Sequence, residues 1–134
     1  MTGKQSERSL AVKQWSKRAQ DALGDALALI QQGGSPEGIA NRSYHAMHCA
    51  MVALLRSIDQ AAIGRDEVLA LFDKEFVKSK MLTAKLGKLP AEAAKLAEAA
   101  ESEKGPRATN EQAFEMYNSA AEFVAAIEEK LPAG

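Results

Sequence analysis

Along most of this chain apolar residues recur every three to four positions, and nowhere do they alternate with period two over a run rich in Val, Ile or Thr, so the pattern predicts helices and no strands. The first helix starts near Ser6 or Ser9 and runs to Gln32, with Trp15, Ala19, Ala22, Leu23, Ala26 and Ile30 on its inner face and Lys13, Lys17, Arg18, Asp21 and Asp25 outside. Gly33 and Gly34 stop it, because a glycine accepts the left-handed geometry of a helix C-terminus. Ser35-Pro36-Glu37 then starts a second helix: Ser35 caps, Pro36 fits the first helical position, and Glu37 suits the positive end of the dipole. This helix runs to about Ile58. After a loop from Asp59 to Gly64 comes a short helix from Asp66 to Phe76, with Val68, Leu69, Leu71, Phe72 and Phe76 as buried candidates. Val77 to Met81 turns the chain. A fourth helix starts with Leu82, Leu86 and Leu89, is kinked or restarted at Pro90, and continues from Ala91 to Glu101. Ser102 to Ala108 is a loop. Thr109 with Gln112 three residues on forms a capping box, and the last helix runs to Lys130, burying Phe114, Tyr117, Ala121, Val124 and Ile127. The sum is one all-α domain over residues 1–134, an antiparallel bundle of four long helices with a short fifth between the second and the one carrying Pro90.

The second helix is the unusual one. At about 100° per residue, Ala40, Tyr44, Met47, Met51, Leu55 and Ile58 form one apolar stripe. Ile39, Ser43, Ala46, Ala50, Ala53 and Ser57 form a small-residue stripe beside it. The third sector carries Arg42, His45, His48, Cys49, Val52 and Arg56, and so holds both histidines and the one cysteine of the chain. Two buried faces predict a central bundle helix; the third is cationic and able to transfer protons.

Composition narrows the class. At 134 residues with 46% hydrophobic and 26% charged, the chain is long enough to bury a core. No apolar run approaches the ~20 residues a membrane span needs, and the polar N-terminus does not read as a signal peptide, so no membrane association is expected. A single cysteine rules out an intramolecular disulfide and fits a cytoplasmic protein. Net charge is −1, yet residues 1–90 hold 13 Lys/Arg against 9 Asp/Glu, whereas residues 91–134 hold 4 against 9. A basic front and an acidic back could orient the chain on a phosphate backbone; the plainer reading is an uneven solvated surface.

With Arg42 as zero, Cys49 lies about 20° round the second helix, His45 about 60° and His48 about 120°, all on the same side. An imidazole near neutral pKa exchanges protons at physiological pH, and a guanidinium beside it binds phosphate and offsets charge developing in a transition state. These are the groups that metal-independent RNA cleavage requires. His45, His48 and Cys49 at i, i+3 and i+4 also have ligand character for zinc, but four ligands are the rule and the chain has no second Cys/His cluster, so no metal is expected. No glycine-rich phosphate loop, nucleophilic triad or EF-hand loop is present, and no cofactor is expected. The bland alternative makes His45 and His48 hydrogen-bonded interface groups, Cys49 a small apolar residue, and Arg42 and Arg56 surface charges.

Arg42-Ser43-Tyr44-His45-Ala46-Met47-His48 with its Ala-rich continuation resembles the second-helix signature of HEPN domains, and Leu71-Phe72-Asp73-Lys74-Glu75-Phe76-Val77-Lys78 is similar to a downstream block of small stand-alone HEPN proteins. The resemblance covers most of the chain. It implies a HEPN-like helical bundle in which Arg42 and His48, five residues apart in between, are the catalytic Arg/His couple of an endoribonuclease that leaves 2′,3′-cyclic phosphate ends. His45 is the rival for proton transfer from its place on the helix, and Tyr44, Cys49 and Arg56 are candidate binding residues. In the most similar pattern the histidine stands one place later, where this chain has Cys49, and Arg65 stands where a histidine often precedes the third helix. The resemblance also implies a toxin–antitoxin system with a small nucleotidyltransferase as antidote. A homodimer joined through the second helices is expected, since one helix face is too sparse to enclose a phosphate, with Ala46, Ala50 and Ala53 permitting close approach. The alternative function is a catalytically degenerate helical module that binds a partner protein or a nucleotide through the same face.

Overall fold

The computed structural model describes residues 3–102 and 108–132, and among these every regular element is helical. Helix α1 spans Gly3–Gln31, α2 Pro36–Arg56, α3 Arg65–Phe72, α4 Ala84–Glu101 and α5 Asn110–Lys130. The short connection between α1 and α2 makes that pair antiparallel, and α2 packs against all four other helices. The all-α bundle with four long helices and one short one is therefore the architecture observed. Among the described residues no helix is long and apolar enough to cross a membrane.

The helix ends follow local chemistry. The Ser35 hydroxyl accepts from the Gly38 amide at 3.1 Å with Pro36 just inside α2, and Gly33 adopts φ 72° at the end of α1. Both bonds of the Thr109–Gln112 capping box form, at 3.1 and 3.0 Å. Helix α1 begins upstream of Ser6 and Ser9, which lie inside it. Most of the expected loop from Ser102 to Ala108 lies outside the described residues.

Burial explains α2. Ile39, Ala40, Ser43, Tyr44, Ala46, Met47 and every residue from Cys49 to Leu55 are buried. The expected polar sector is thus cut short. Cys49 and Val52 are fully enclosed by the surrounding helices. The small-residue stripe is used within the chain: Ala46, Ala50 and Ala53 are at most 2% exposed and unavailable to a second copy. Ile58, assigned to the apolar stripe, is 41% exposed because α2 ends at Arg56. Asp59 then turns the chain at φ 64°, with Arg8 of α1 gripping its carboxylate through two nitrogens.

Helix α3 passes into a π-helical turn at Asp73–Val77, closed by the Lys78 amide donating to the Asp73 carbonyl at 2.8 Å. Phe72 and Phe76 face the core, with Phe72 5.6 Å from the rings of both Phe76 and Phe123. The fourth helix does not restart at Pro90. It runs through it: the proline leaves one carbonyl of the preceding turn without its helical amide partner, and the fully buried ring packs in the core.

Helix α5 is rotated from its expected face. Ala113, Met116, Ala120, Phe123, Val124 and Ile127 are buried, whereas Phe114 is 41% exposed and Tyr117 and Ala121 lie at the edge. Ala113 and Ala120 on the inner stripe let α5 approach α2 closely, and Phe123 packs edge-on against Phe72 in the core. Truncating Phe123 to Ala should accordingly cost ~3–5 kcal/mol, the range for a fully buried aromatic. Phe114→Ala should stay within about 0.5 kcal/mol. Urea unfolding of the two variants checks which face is inside.

Candidate functional site

Where α2 escapes burial, its first half presents Asn41, Arg42, His45 and His48, all half-buried. A hollow of about 250 Å³ opens there, lined by Asn41, Tyr44, His45 and His48 of α2, Ile63 of the loop that follows, and Arg65 at the start of α3. The His45 and His48 rings lie 6.3 Å apart and nearly parallel, at 18°. Tyr44 is tilted against His48 at the same separation. The Arg65 guanidinium covers the Tyr44 ring, 4.9 Å from its centre.

Each imidazole has one nitrogen engaged. His48 donates to the Ile63 backbone carbonyl, which ties the loop to α2. His45 Nε2 lies 3.5 Å from the Cys49 sulfur. Both imidazoles titrate below the ordinary histidine value. Burial is the main cause for each; Arg42 and then Arg18 add to it for His45, and His45 and Arg65 for His48. Near neutral pH both rings are uncharged and each can accept a proton. Asp25 opposes the effect at His45, and the Ile63 carbonyl opposes it at His48.

The other candidates divide. Arg42 flanks His45 on the α1 side, 3.9 Å from the Asp25 carboxylate, and does not line the hollow. Tyr44 is 5% exposed; its buried hydroxyl has no well-formed hydrogen bond, and burial raises its pKa against the pull of Arg65. Cys49 lies beneath His45 rather than beside it: the thiol is fully enclosed and pushed by burial to about 11, so it stays protonated and is no nucleophile. Arg56 is carried away from the histidines altogether. It lines a separate hollow with Glu7, Arg8 and Asp59, its Nε buried without a hydrogen bond. Among the described residues no three His, Cys, Asp or Glu side chains converge to hold a metal ion.

Three residues of the hollow were not candidates by pattern. Asn41 precedes the motif and Ile63 sits in a loop without periodicity. Arg65 had one signal, its place where the resembled family often has a histidine. Arg18, expected on the outer face of α1, lies 4.4 Å over the Trp15 ring and close enough to lower the pKa of His45.

No protein-family profile matches the chain. It is similar to a UPF0332 protein of Thermotoga maritima, 31% identical over 83 residues, a match covering 62% of this chain and 62% of that protein.

The titrations have a definite sign. A histidine whose folded pKa lies below the unfolded value binds fewer protons folded than unfolded in the window between them, so stability rises with pH there. Stability should therefore be lost as pH falls from about 6.5 through the two folded-state pKa values. Imidazole shifts followed by NMR should place both midpoints below 6.5, and denaturant midpoints should drop over the same range. Cys49 should resist iodoacetamide at pH 8 in the native protein and react after unfolding.

Proposed function

We propose that this chain is a metal-independent endoribonuclease of the HEPN type, acting in the cytoplasm as the toxin of a toxin–antitoxin pair. The observation that carries the reading is the His45–His48 pair. The two part-exposed imidazoles, 6.3 Å apart, line a hollow together with Arg65, and Arg42 flanks His45 outside it. Both start as bases. When a phosphodiester enters beside Arg42, its negative charge raises the pKa of the nearer imidazole, which takes a proton from solvent, and the two neutral rings become an acid–base couple. The neutral imidazole takes the proton of the ribose 2′-hydroxyl, and that oxygen forms a bond to phosphorus. The P–O5′ bond breaks as the imidazolium gives its proton to the leaving oxygen. Arg42 offsets the charge gathering on the non-bridging oxygens. The products are a 2′,3′-cyclic phosphate and a 5′-hydroxyl.

A hollow this open leaves the phosphate in water, so the proposal includes a homodimer about a twofold axis, with the exposed first half of α2 from each copy facing the other. The antidote would be a small nucleotidyltransferase that covers or modifies this face.

Purified protein should cleave single-stranded RNA in EDTA and leave cyclic phosphate ends. Arg42→Ala, His45→Ala and His48→Ala should each lower the rate ~10²–10⁴-fold while keeping the helical circular dichroism spectrum. Light scattering should report a dimer. Wild-type protein that is inert towards RNA as a verified dimer, free of any antidote, would sink the catalytic reading and leave a helical module that binds a partner protein or a nucleotide.

A further inference from the structure

Arg65 is the first residue of α3, and it reaches the hollow from the side opposite Arg42. Around the axis of α2 the order is Arg42, His45, His48, Tyr44, at successive offsets of roughly 40–60°. Arg65 rests on the Tyr44 ring, so the two guanidiniums bracket the imidazole pair. Each is held by one carboxylate from another helix: Arg42 by Asp25 at 3.9 Å and Arg65 by Glu98 at 3.3 Å. The Arg65 and Glu98 side chains are 36% and 62% exposed. A pair so wet contributes little, and a phosphate, two of whose oxygens a guanidinium grips with two parallel N–H groups, displaces the carboxylate readily. Beside Arg65 stands Ile63, 55% exposed at the rim, an apolar wall against which a sugar or base can lie.

We infer that Arg65 binds the non-scissile phosphate next to the one cleaved, so that the site takes a single strand presenting at least two consecutive phosphates. The inference rests on the ribonuclease reading. It gives the hollow a second, substrate-positioning cation, supplied by α3 rather than by the Arg/His helix. In the free protein the Glu98 carboxylate occupies the Arg65 guanidinium, and the incoming strand takes its place. Asp66 is the other carboxylate whose charge reaches this corner.

The test uses the full chain with Arg65→Gln, Arg65→Lys and Glu98→Gln, each checked for an unchanged melting curve. Two substrates are compared: a dinucleoside monophosphate, which has one phosphate, and a longer single-stranded RNA. A 2′-O-methyl copy of the longer strand, which cannot be cleaved, reports binding against salt. Arg65→Gln should raise KM for the long substrate with little change in kcat, and should lower the ratio of kcat/KM for the long over the short substrate. It should also make the log–log salt slope of binding shallower by about 0.7, the contribution of one phosphate on a single strand. Arg65→Lys should restore the salt slope, and Glu98→Gln should tighten binding. An Arg65→Gln protein with wild-type KM and salt slope overturns the inference, as does one that loses equally on both substrates. If the wild type binds the uncleavable strand yet cleaves neither substrate, the ribonuclease reading falls by itself and the salt slope still decides the role of Arg65. If the wild type binds no strand at all, both fall.

Discussion

Everything in this molecule turns on a helix that has water on one side for half its length and on none for the rest. From Cys49 to Leu55 every side chain of α2 is buried, enclosed by the other helices. A helix meets that condition without loss because its backbone polar groups are bonded internally, so enclosing it requires only apolar or small side chains all round. Ala50 and Ala53 admit close neighbours, and Met47, Met51 and Leu55 fill what remains. The cost is chemical. A fully enclosed half has no room for charge, so whatever the helix does must be done by the first half, where Arg42, His45 and His48 reach the surface.

That half-buried setting also tunes the groups it exposes. Desolvation and neighbouring guanidiniums hold both imidazoles neutral, and they act in the same direction because each disfavours an added positive charge. A bound phosphate has the opposite effect. An anion bound beside the rings would favour the protonated form, which is the response the proposed acid–base couple requires. The same enclosure turns Cys49, one turn below His45, into a packing residue with a protonated thiol.

The loop after α2 completes the hollow. Arg8 anchors it through Asp59, and the His48 imidazole holds it through the Ile63 carbonyl. These two attachments set where α3 begins, and hence where Arg65 stands. The exposed ion pairs around the hollow, Arg42 with Asp25 and Arg65 with Glu98, hold the guanidiniums near the imidazoles with little energy at stake.

Periodicity and end signals determined the number, order and type of the helices, since caps such as Ser35 and the Thr109–Gln112 box act over three residues and need no partner elsewhere. They also marked α2 as central, with its histidines on the one polar sector. Faces were harder to read. In α5 two adjacent stripes are both apolar, and the choice of Ala113, Ala120 and Phe123 over Phe114 and Tyr117 came from packing against α2 and Phe72. The residues of one helix sector, Arg42, His45, His48, Cys49 and Arg56, look equivalent on a wheel. Packing separated them, enclosing Cys49 and moving Arg56 to another hollow. Arg65 and Ile63 joined the site only through the path of a loop without periodicity. Local sequence determines how each segment is wound; which side of it meets water, and what distant residue faces it there, is decided only when the helices pack, because burial is a property of the neighbours and not of the segment.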